Sequence, residues 1–369
     1  MAGLVSRPTC SLCRGNSRVV CGRGRVVFVG LIPMRDLRTL PKANLHVHLT
    51  GAMRQATLAE FAARRGVAGA PPLSPGVVHG WAAFQARYDL ARDAIGDAGD
   101  IARVVVEAAS DDAADGCGWL EIQVDPTSYA HRLGGPAAVV ETVLAGADRA
   151  PIPVGVIVAA SWGASPEHAR RLAGLAASYA ARGVVGFGLS NDERLGRVAD
   201  FAGACRMAAE AGLLVAPHAG FYQPATHVRD GIELLRAGRI RHGLTAAADA
   251  RLVETLATAG IALEVCLTSY PPLGIVADVA GVPVRRLLAA GVPLALGTDD
   301  PLLFVTGMRS SPSVANRANP PDWHTSCTAG PGCSAAHRTR RARSAAAGSD
   351  RAPPVSVHNP GRPPSTGLH

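Results

Sequence analysis

The chain has 369 residues, 48% of them apolar, which allows one large domain or two ordinary ones with a substantial core. No stretch approaches the roughly 20 apolar residues of a membrane span, so no membrane partner is expected. The formal charge of +8 lies in the ends: residues 1–40 hold seven Arg against one Asp, 305–369 hold eight Arg against two Asp, and 41–304 is left at −4, so a nucleic-acid surface is not expected either.

In chain order, residues 1–33 come first, rich in Arg, Gly and Cys, with one short apolar patch from Val26 to Ile32. A signal peptide needs a longer apolar region and a small-residue cleavage site; an Arg-rich, acid-poor leader is also the composition of an organelle transit peptide. Cys10-x-x-Cys13 with Cys21 lacks a nearby fourth zinc ligand. Residues 1–33 are expected to be disordered or a wrongly assigned leader, with translation starting at Met34 and the product in the cytoplasm. Cys117, Cys205 and Cys266 fall inside apolar patterns and read as small buried thiols of a reducing compartment.

Residues 34–304 form the expected folded domain. Strand-like runs occur at Asn44–Leu49, Trp119–Val124, Val154–Ala159, Val184–Leu189, Leu213–Pro217, Arg239–His242, Ile261–Cys266 and Pro293–Gly297. Their near-continuous Val/Ile/Leu content suits parallel strands buried on both faces. Helical stretches lie between them. Ser165-Pro166-Glu167 reads as N-cap, first-turn proline and early acid, with Gly183 beyond the last turn. Asp200–Glu210 runs to Gly212, Thr226–Ala237 to Gly238 and Ala247–Ala259 to Gly260. Eight such β-then-α units predict a (β/α)₈ TIM barrel. An open doubly wound sheet is the alternative, but no Gly-x-Gly-x-x-Gly turn follows the first strand.

Residues 305–369 differ in kind. They are rich in Pro, Arg, Ser, Ala and Gly without an apolar period, so disorder is expected. They begin right after the eighth strand, where a barrel needs a final helix, and none is evident. A shifted reading frame would leave such an edge. Missing outer packing of several hundred Å², at about 25 cal/mol per Å², predicts poor solubility for this chain. A monodisperse, cooperatively melting preparation of 1–369 would contradict that.

Barrel chemistry sits at the C-terminal ends of strands. His46 and His48, two apart on the first strand, point to one face. His218 ends the fifth strand, His242 the sixth, and Asp299 and Asp300 the eighth. A lone histidine in an apolar run is more often a satisfied core residue. Six such groups at one mouth point to a divalent-metal site.

These residues resemble the adenosine deaminase family of metal-dependent hydrolases. The resemblance runs through LPKANLHVHLTGAMR at 40–54, GLSNDERLG at 188–196, APHAG at 216–220, RIRHG at 239–243, LEVCLTSY at 263–270 and LALGTDDPLLF at 294–304. It implies one Zn²⁺ ion held by His46, His48, His218 and Asp299, with a bound water whose pKa is brought toward neutrality. It implies that His242 orients and deprotonates that water and that Asp300 accepts a hydrogen bond from a purine. Thr50 and Asn191 stand where the family has Asp and Gly in contact with substrate; Asn191 also suits a left-handed turn. The expected partner is a small purine nucleoside, in nucleoside salvage; oligomeric state is not readable.

Phe221 departs from the family pattern, where Glu follows His-Ala-Gly and protonates the purine ring nitrogen. Losing a general acid typically costs about 10²–10⁴ in rate. Tyr222 and Glu264 are the nearest substitutes by sequence, Glu264 with a structural ion pair as its other reading. Three functions follow: zinc-dependent deamination of adenosine or a related purine nucleoside, an inactive degenerate relative, or a metal hydrolase of the same fold acting elsewhere.

Overall fold

A computed structural model of the chain describes residues 41–308 and two short strands before them. The chain divides into two units, Met1–Leu37 and the remainder from Arg38. In the first, Val20–Gly22 pairs antiparallel with Arg25–Val27, Val20 opposite Val27. The expectations for the rest of 1–33, for 309–369 and for five of the eight cysteines concern residues not described or strands whose side chains are not.

In the second unit, eight strands pair in sequence order, all parallel. They are β1 Lys42–His48, β2 Cys117–Val124, β3 Val154–Ser161, β4 Val184–Ser190, β5 Leu214–Ala219, β6 Arg239–His242, β7 Ala262–Val265 and β8 Leu294–Leu296. Each overlaps a strand read from the sequence. The ring closes where Val47 bridges Asp299. His48 N donates to Asp299 O at 3.1 Å, and Thr298 N and Asp299 N both donate to His46 O, at 3.1 and 2.9 Å. This is the (β/α)₈ barrel.

Helices cover the strands outside. Three lie between β1 and β2: α1 Gln55–Arg65, α2 Gly80–Ala94 and α3 Ala98–Ala114. Then come α4 Thr127–Leu133, α5 Pro136–Asp148, α6 Pro166–Ser178, α7 Ala202–Glu210, α8 Ala225–Glu233, α9 Ala250–Ala259, α10 Val284–Ala289 and α11 Pro301–Phe304. The start of α6 follows its sequence: the Ser165 hydroxyl accepts from His168 N at 3.2 Å, Pro166 opens the first turn, and Ala169, Leu172, Ala173 and Ala176 make the buried stripe. Three helices differ from expectation. α7 starts at Ala202 rather than Asp200, after a 3₁₀ turn over Val198–Phe201. α8 stops at Glu233 rather than Ala237, because Arg236 takes a left-handed φ of 58°. α9 starts at Ala250, where the Asp249 carboxylate accepts from Arg251 N and Leu252 N; the segment before it is a 3₁₀ turn. Among the described residues, the four-residue α11 is the only helix after β8; the expectation that no normal final helix follows falls on 309–369, outside the described residues. No described helix is long and apolar enough to cross a membrane.

Charges run through the barrel interior. Arg239 of β6 pairs with Glu121 of β2, and those strands are not neighbours, so the pair spans the lumen. Arg239 Nε also lies 2.7 Å from Glu264 Oε1, and Arg241 Nε 3.3 Å from Glu264 Oε2. Glu264 is fully buried; its sequence reading as a structural ion-pair partner is the one realised.

A second buried group predicts a pH effect. Asn44 Nδ2 donates to Asp112 Oδ2 at 3.1 Å and to Thr298 Oγ1 at 2.9 Å. Burial pushes the Asp112 carboxyl up to about 7, against the Asn44 bond, which lowers it. The folded state therefore binds this proton more tightly than the unfolded chain. The contribution is complete below about pH 4 and is lost as pH rises toward 7, by roughly 4 kcal/mol at most. Asp112→Asn should narrow the gap between melting temperatures at pH 5 and pH 8; parallel behaviour of variant and native protein across that range would remove Asp112 as the source.

Candidate functional site

The six site residues read from the sequence gather at the C-terminal mouth of the barrel. His46 and His48 come from β1, His218 from β5, His242 from β6, and Asp299 and Asp300 follow β8. His48 Nε2 lies 3.2 Å from His218 Nε2. Asp299 Oδ1 lies 3.5 Å from His46 Nε2 and 3.4 Å from His48 Nε2. Ligands about 2.0–2.1 Å from one ion at tetrahedral angles stand about 3.3–3.4 Å apart, and these three separations match that spacing.

The other imidazole nitrogens face away from that point. His218 Nδ1–H donates to Leu189 O at 2.8 Å. His46 Nδ1 faces Glu264 Oε2 at 3.4 Å. His48 Nδ1 lies 3.2 Å from the Gln123 amide nitrogen, while the Gln123 amide oxygen is buried without a partner. Turning that amide over lets it accept the His48 Nδ1 proton, the usual way a second group fixes a metal-binding imidazole. All three rings then offer an Nε2 lone pair. Burial holds His46 and His218 well below the ordinary histidine range and lowers His48; the neutral ring is the form that binds metal. His46 Nε2 is buried and unsatisfied. The donor set fits a divalent ion with a preference for nitrogen and oxygen, zinc among them.

His242 stands beside this cluster, its ring centre 4.8 Å from that of His46 and 5.1 Å from that of His218. Its Nδ1 lies 3.4 Å from the Tyr270 hydroxyl, whose oxygen accepts from Cys266 N at 2.9 Å. Burial lowers His242 to about 4. Asp300 is buried with Oδ1 unpartnered; burial and the neighbouring Asp299 push its carboxyl well up.

Backbone conformation at the mouth is unusual. Asn191, His242 and Asp299 have φ of 71°, 67° and 60°. Non-glycine residues in this left-handed region store strain, and such strain gathers at functional sites. Asn191 therefore realises its turn reading, with its side-chain oxygen accepting from Asp192 N at 2.8 Å. It still lines the cavity, as does Thr50, whose hydroxyl bonds Tyr129 OH.

The cavity over the cluster has about 980 Å³ of space, counting its open mouth, within the upper range for small-molecule sites. One wall is a face of α2, carrying Trp81, Phe84, Gln85, Tyr88 and Arg92 at helical spacing. Phe221 also lines the cavity, its ring centre 4.5 Å from that of His242. Its turn is clamped from behind: Glu193 Oε1 accepts from the backbone N–H groups of Phe221, Tyr222 and Gln223 at 2.9, 2.6 and 2.5 Å. Neither substitute acid named from the sequence is available. The Tyr222 hydroxyl donates to Leu273 O at 3.1 Å, and Glu264 is held among the interior arginines. Sequence reasoning missed Gln123 and Glu193. Gln123 could have been found as the polar residue near the end of the second strand.

The family model for adenosine deaminase matches residues 41–327. The chain belongs to the adenosine deaminase family. The match continues past Phe304, where the motifs quoted above end. Among curated members, the chain is 49% identical over 295 residues to a provisionally named adenosine/adenine deaminase of Streptomyces virginiae, covering 77% of this chain and 87% of that one. It is 36% identical to the aminodeoxyfutalosine deaminase of Acidothermus cellulolyticus, covering 76% and 84%. Solved structures repeat the fold. An amidohydrolase of Burkholderia ambifaria with bound Zn gives a TM-score of 0.72 at 23% identity, covering 84% of this chain and 91% of that one. The adenine deaminase of Arthrobacter aurescens gives 0.67 at 23%, covering 76% and 88%. The curated members that the chain matches are thus named for deamination of more than one compound, adenosine/adenine and aminodeoxyfutalosine.

Proposed function

We propose that the chain is a metal-dependent aminohydrolase that replaces the exocyclic amino group of a small purine, base or nucleoside, with oxygen. The observation that carries this reading is the convergence of three Nε2 atoms and Asp299 Oδ1 at tetrahedral spacing. His46, His48, His218 and Asp299 would hold the ion, zinc by donor type. When bound, it supplies Lewis-acid activation of water.

The chain's own groups do the rest. His242, neutral and within the cluster, is placed to take a proton from the attacking water and return it to the departing amine. Asp300, Thr50 and the 191 turn line the space where a purine edge and its substituent would sit. The α2 aromatics supply a stacking surface and cover the mouth. The test is metal analysis of the purified full chain, with ammonia release from adenine, adenosine and related aminopurines. A loaded protein that releases ammonia from none of them would count against the reading.

Phe221 favours a second reading, a family member that binds but does not turn over ordinary adenine compounds. Phe221→Glu separates the two. Restoring a positioned acid should raise kcat/KM on adenosine by about 10²–10⁴. Activity in the variant alone assigns the native chain to the second reading; equal activity in both shows that residue 221 gives no acid catalysis here.

A further inference from the structure

Attack on the amino-bearing carbon of a purine pushes an electron pair onto the adjacent ring nitrogen. That nitrogen must receive a proton or already carry positive charge. Being bonded to the reacting carbon, it lies against the wall beside His242, and there the side chain is Phe221. Of the groups lining the cavity, Tyr222 OH donates to Leu273 O and Glu193 Oε1 accepts from three backbone N–H groups, while Glu193 Oε2 and Asp300 Oδ1 have no hydrogen-bond partner.

The same cavity brings carboxyl groups and aromatic rings together. Asp125, Glu193, Asp299 and Asp300 line it against one guanidinium, Arg92, among the described residues. Aromatic rings line it too, Trp81 and Tyr88 from α2 with Phe221 and Tyr222 after β5, the Trp81 and Tyr222 ring centres 6.2 Å apart. Rings combined with carboxyl groups are the usual surroundings of a bound organic cation.

Resting on the aminohydrolase reading, we infer that the preferred substrate is a purine alkylated at the ring nitrogen next to the amino-bearing carbon, such as 1-methyladenine or its nucleoside, reacting as the amidinium cation that carries its proton on the amino group. Phe221 gives the methyl group an apolar wall and the charge a π face, and no acid is required. The balance closes with water alone. Water oxygen bonds to the ring carbon, and the C=N⁺ electron pair moves to the methylated nitrogen and neutralises it. His242 carries the two water protons to the amine nitrogen in turn, the carbon–nitrogen bond breaks, and the positive charge leaves as ammonium.

The experiment uses the full chain with measured zinc content at pH 7. 1-Methyladenosine, 1-methyladenine, adenosine and adenine are compared by chromatography of the oxo products and by ammonia release. The methylated compounds should exceed their parents in kcat/KM by about 10²-fold or more. Phe221→Leu keeps the apolar wall but loses the π face, so it should retain the methylated preference with KM raised several-fold. Phe221→Glu should reverse the preference. Native turnover of adenosine or adenine equal to that of the methylated compounds overturns the inference and leaves the aminohydrolase reading standing. So does a native chain inert on the methylated compounds while Phe221→Glu deaminates adenosine. Metal-loaded native protein and both variants inert on all four compounds overturn inference and reading together.

Discussion

Replacing His46 with alanine is expected to strip the protein of its metal and lower turnover by more than about 10²-fold, the upper end of what outer partners of a ligand contribute. His46 is fully buried and meets Asp299 through Nε2 and Glu264 through Nδ1. Its removal deletes a donor and leaves the Glu264 carboxylate with only its two arginines. Gln123→Ala is the graded comparison. It keeps every donor but frees the His48 ring to turn, so metal affinity should fall by about 10–100-fold while a saturated enzyme keeps most of its rate. Metal content by mass spectrometry, with a zinc titration, reads both. A His46→Ala protein that still holds one equivalent of zinc and turns over at the native rate would remove this residue from the site.

The second large effect is expected at Gly51→Ala, where no functional atom is removed. A Cβ built on Gly51 would stand 1.9 Å from Asp300 Oδ1 and 2.6 Å from Asp300 Cβ. Either Asp300 swings out of the cavity or the Thr50–Ala52 turn retreats from it. Overpacking of this kind costs about 1–3 kcal/mol, and a displacement near 1 Å in a site costs about 10²-fold in rate. Melting temperature and kcat/KM should therefore both fall. Gly118→Ala, on a strand of the same barrel with nothing within 4 Å of the added carbon, should change stability by no more than about 0.5 kcal/mol. Native kinetics in Gly51→Ala would mean that the closeness of Asp300 to that turn does not matter for the reaction.

The eight strands were legible because parallel barrel strands are buried on both faces and read as unbroken apolar runs; Val154–Ser161 is buried in seven of its eight positions. Helix ends were less so. The apolar pattern after Thr226 continues through Leu235 and Ala237, both buried, yet the backbone turns at Arg236, and a pattern of side chains does not record φ. The long excursion between β1 and β2 was not resolved into helices, although α2 forms a wall of the cavity. Its stripe of Trp81, Phe84, Tyr88 and Arg92 mixes aromatic and charged groups, because it faces a cavity rather than a core. Candidate metal-binding residues stood out through unusual types at strand ends. Gln123 and Glu193 did not, because an amide beside an imidazole and a carboxylate beneath a turn act through partners distant in sequence.

The joint between β1 and β8 has a further consequence. The backbone bonds that finish the ring belong to His46, His48, Thr298 and Asp299, three of which also supply candidate ligand atoms. An ion held there would act as a clasp across this lap of the cylinder, with a short β8 on one side and, among the described residues, the four-residue α11 alone behind it. Emptying the site should let this lap open before the rest of the barrel, so deuterium should enter the His48 and Asp299 amides faster in chelator-treated protein while the β3 and β4 amides keep their protection.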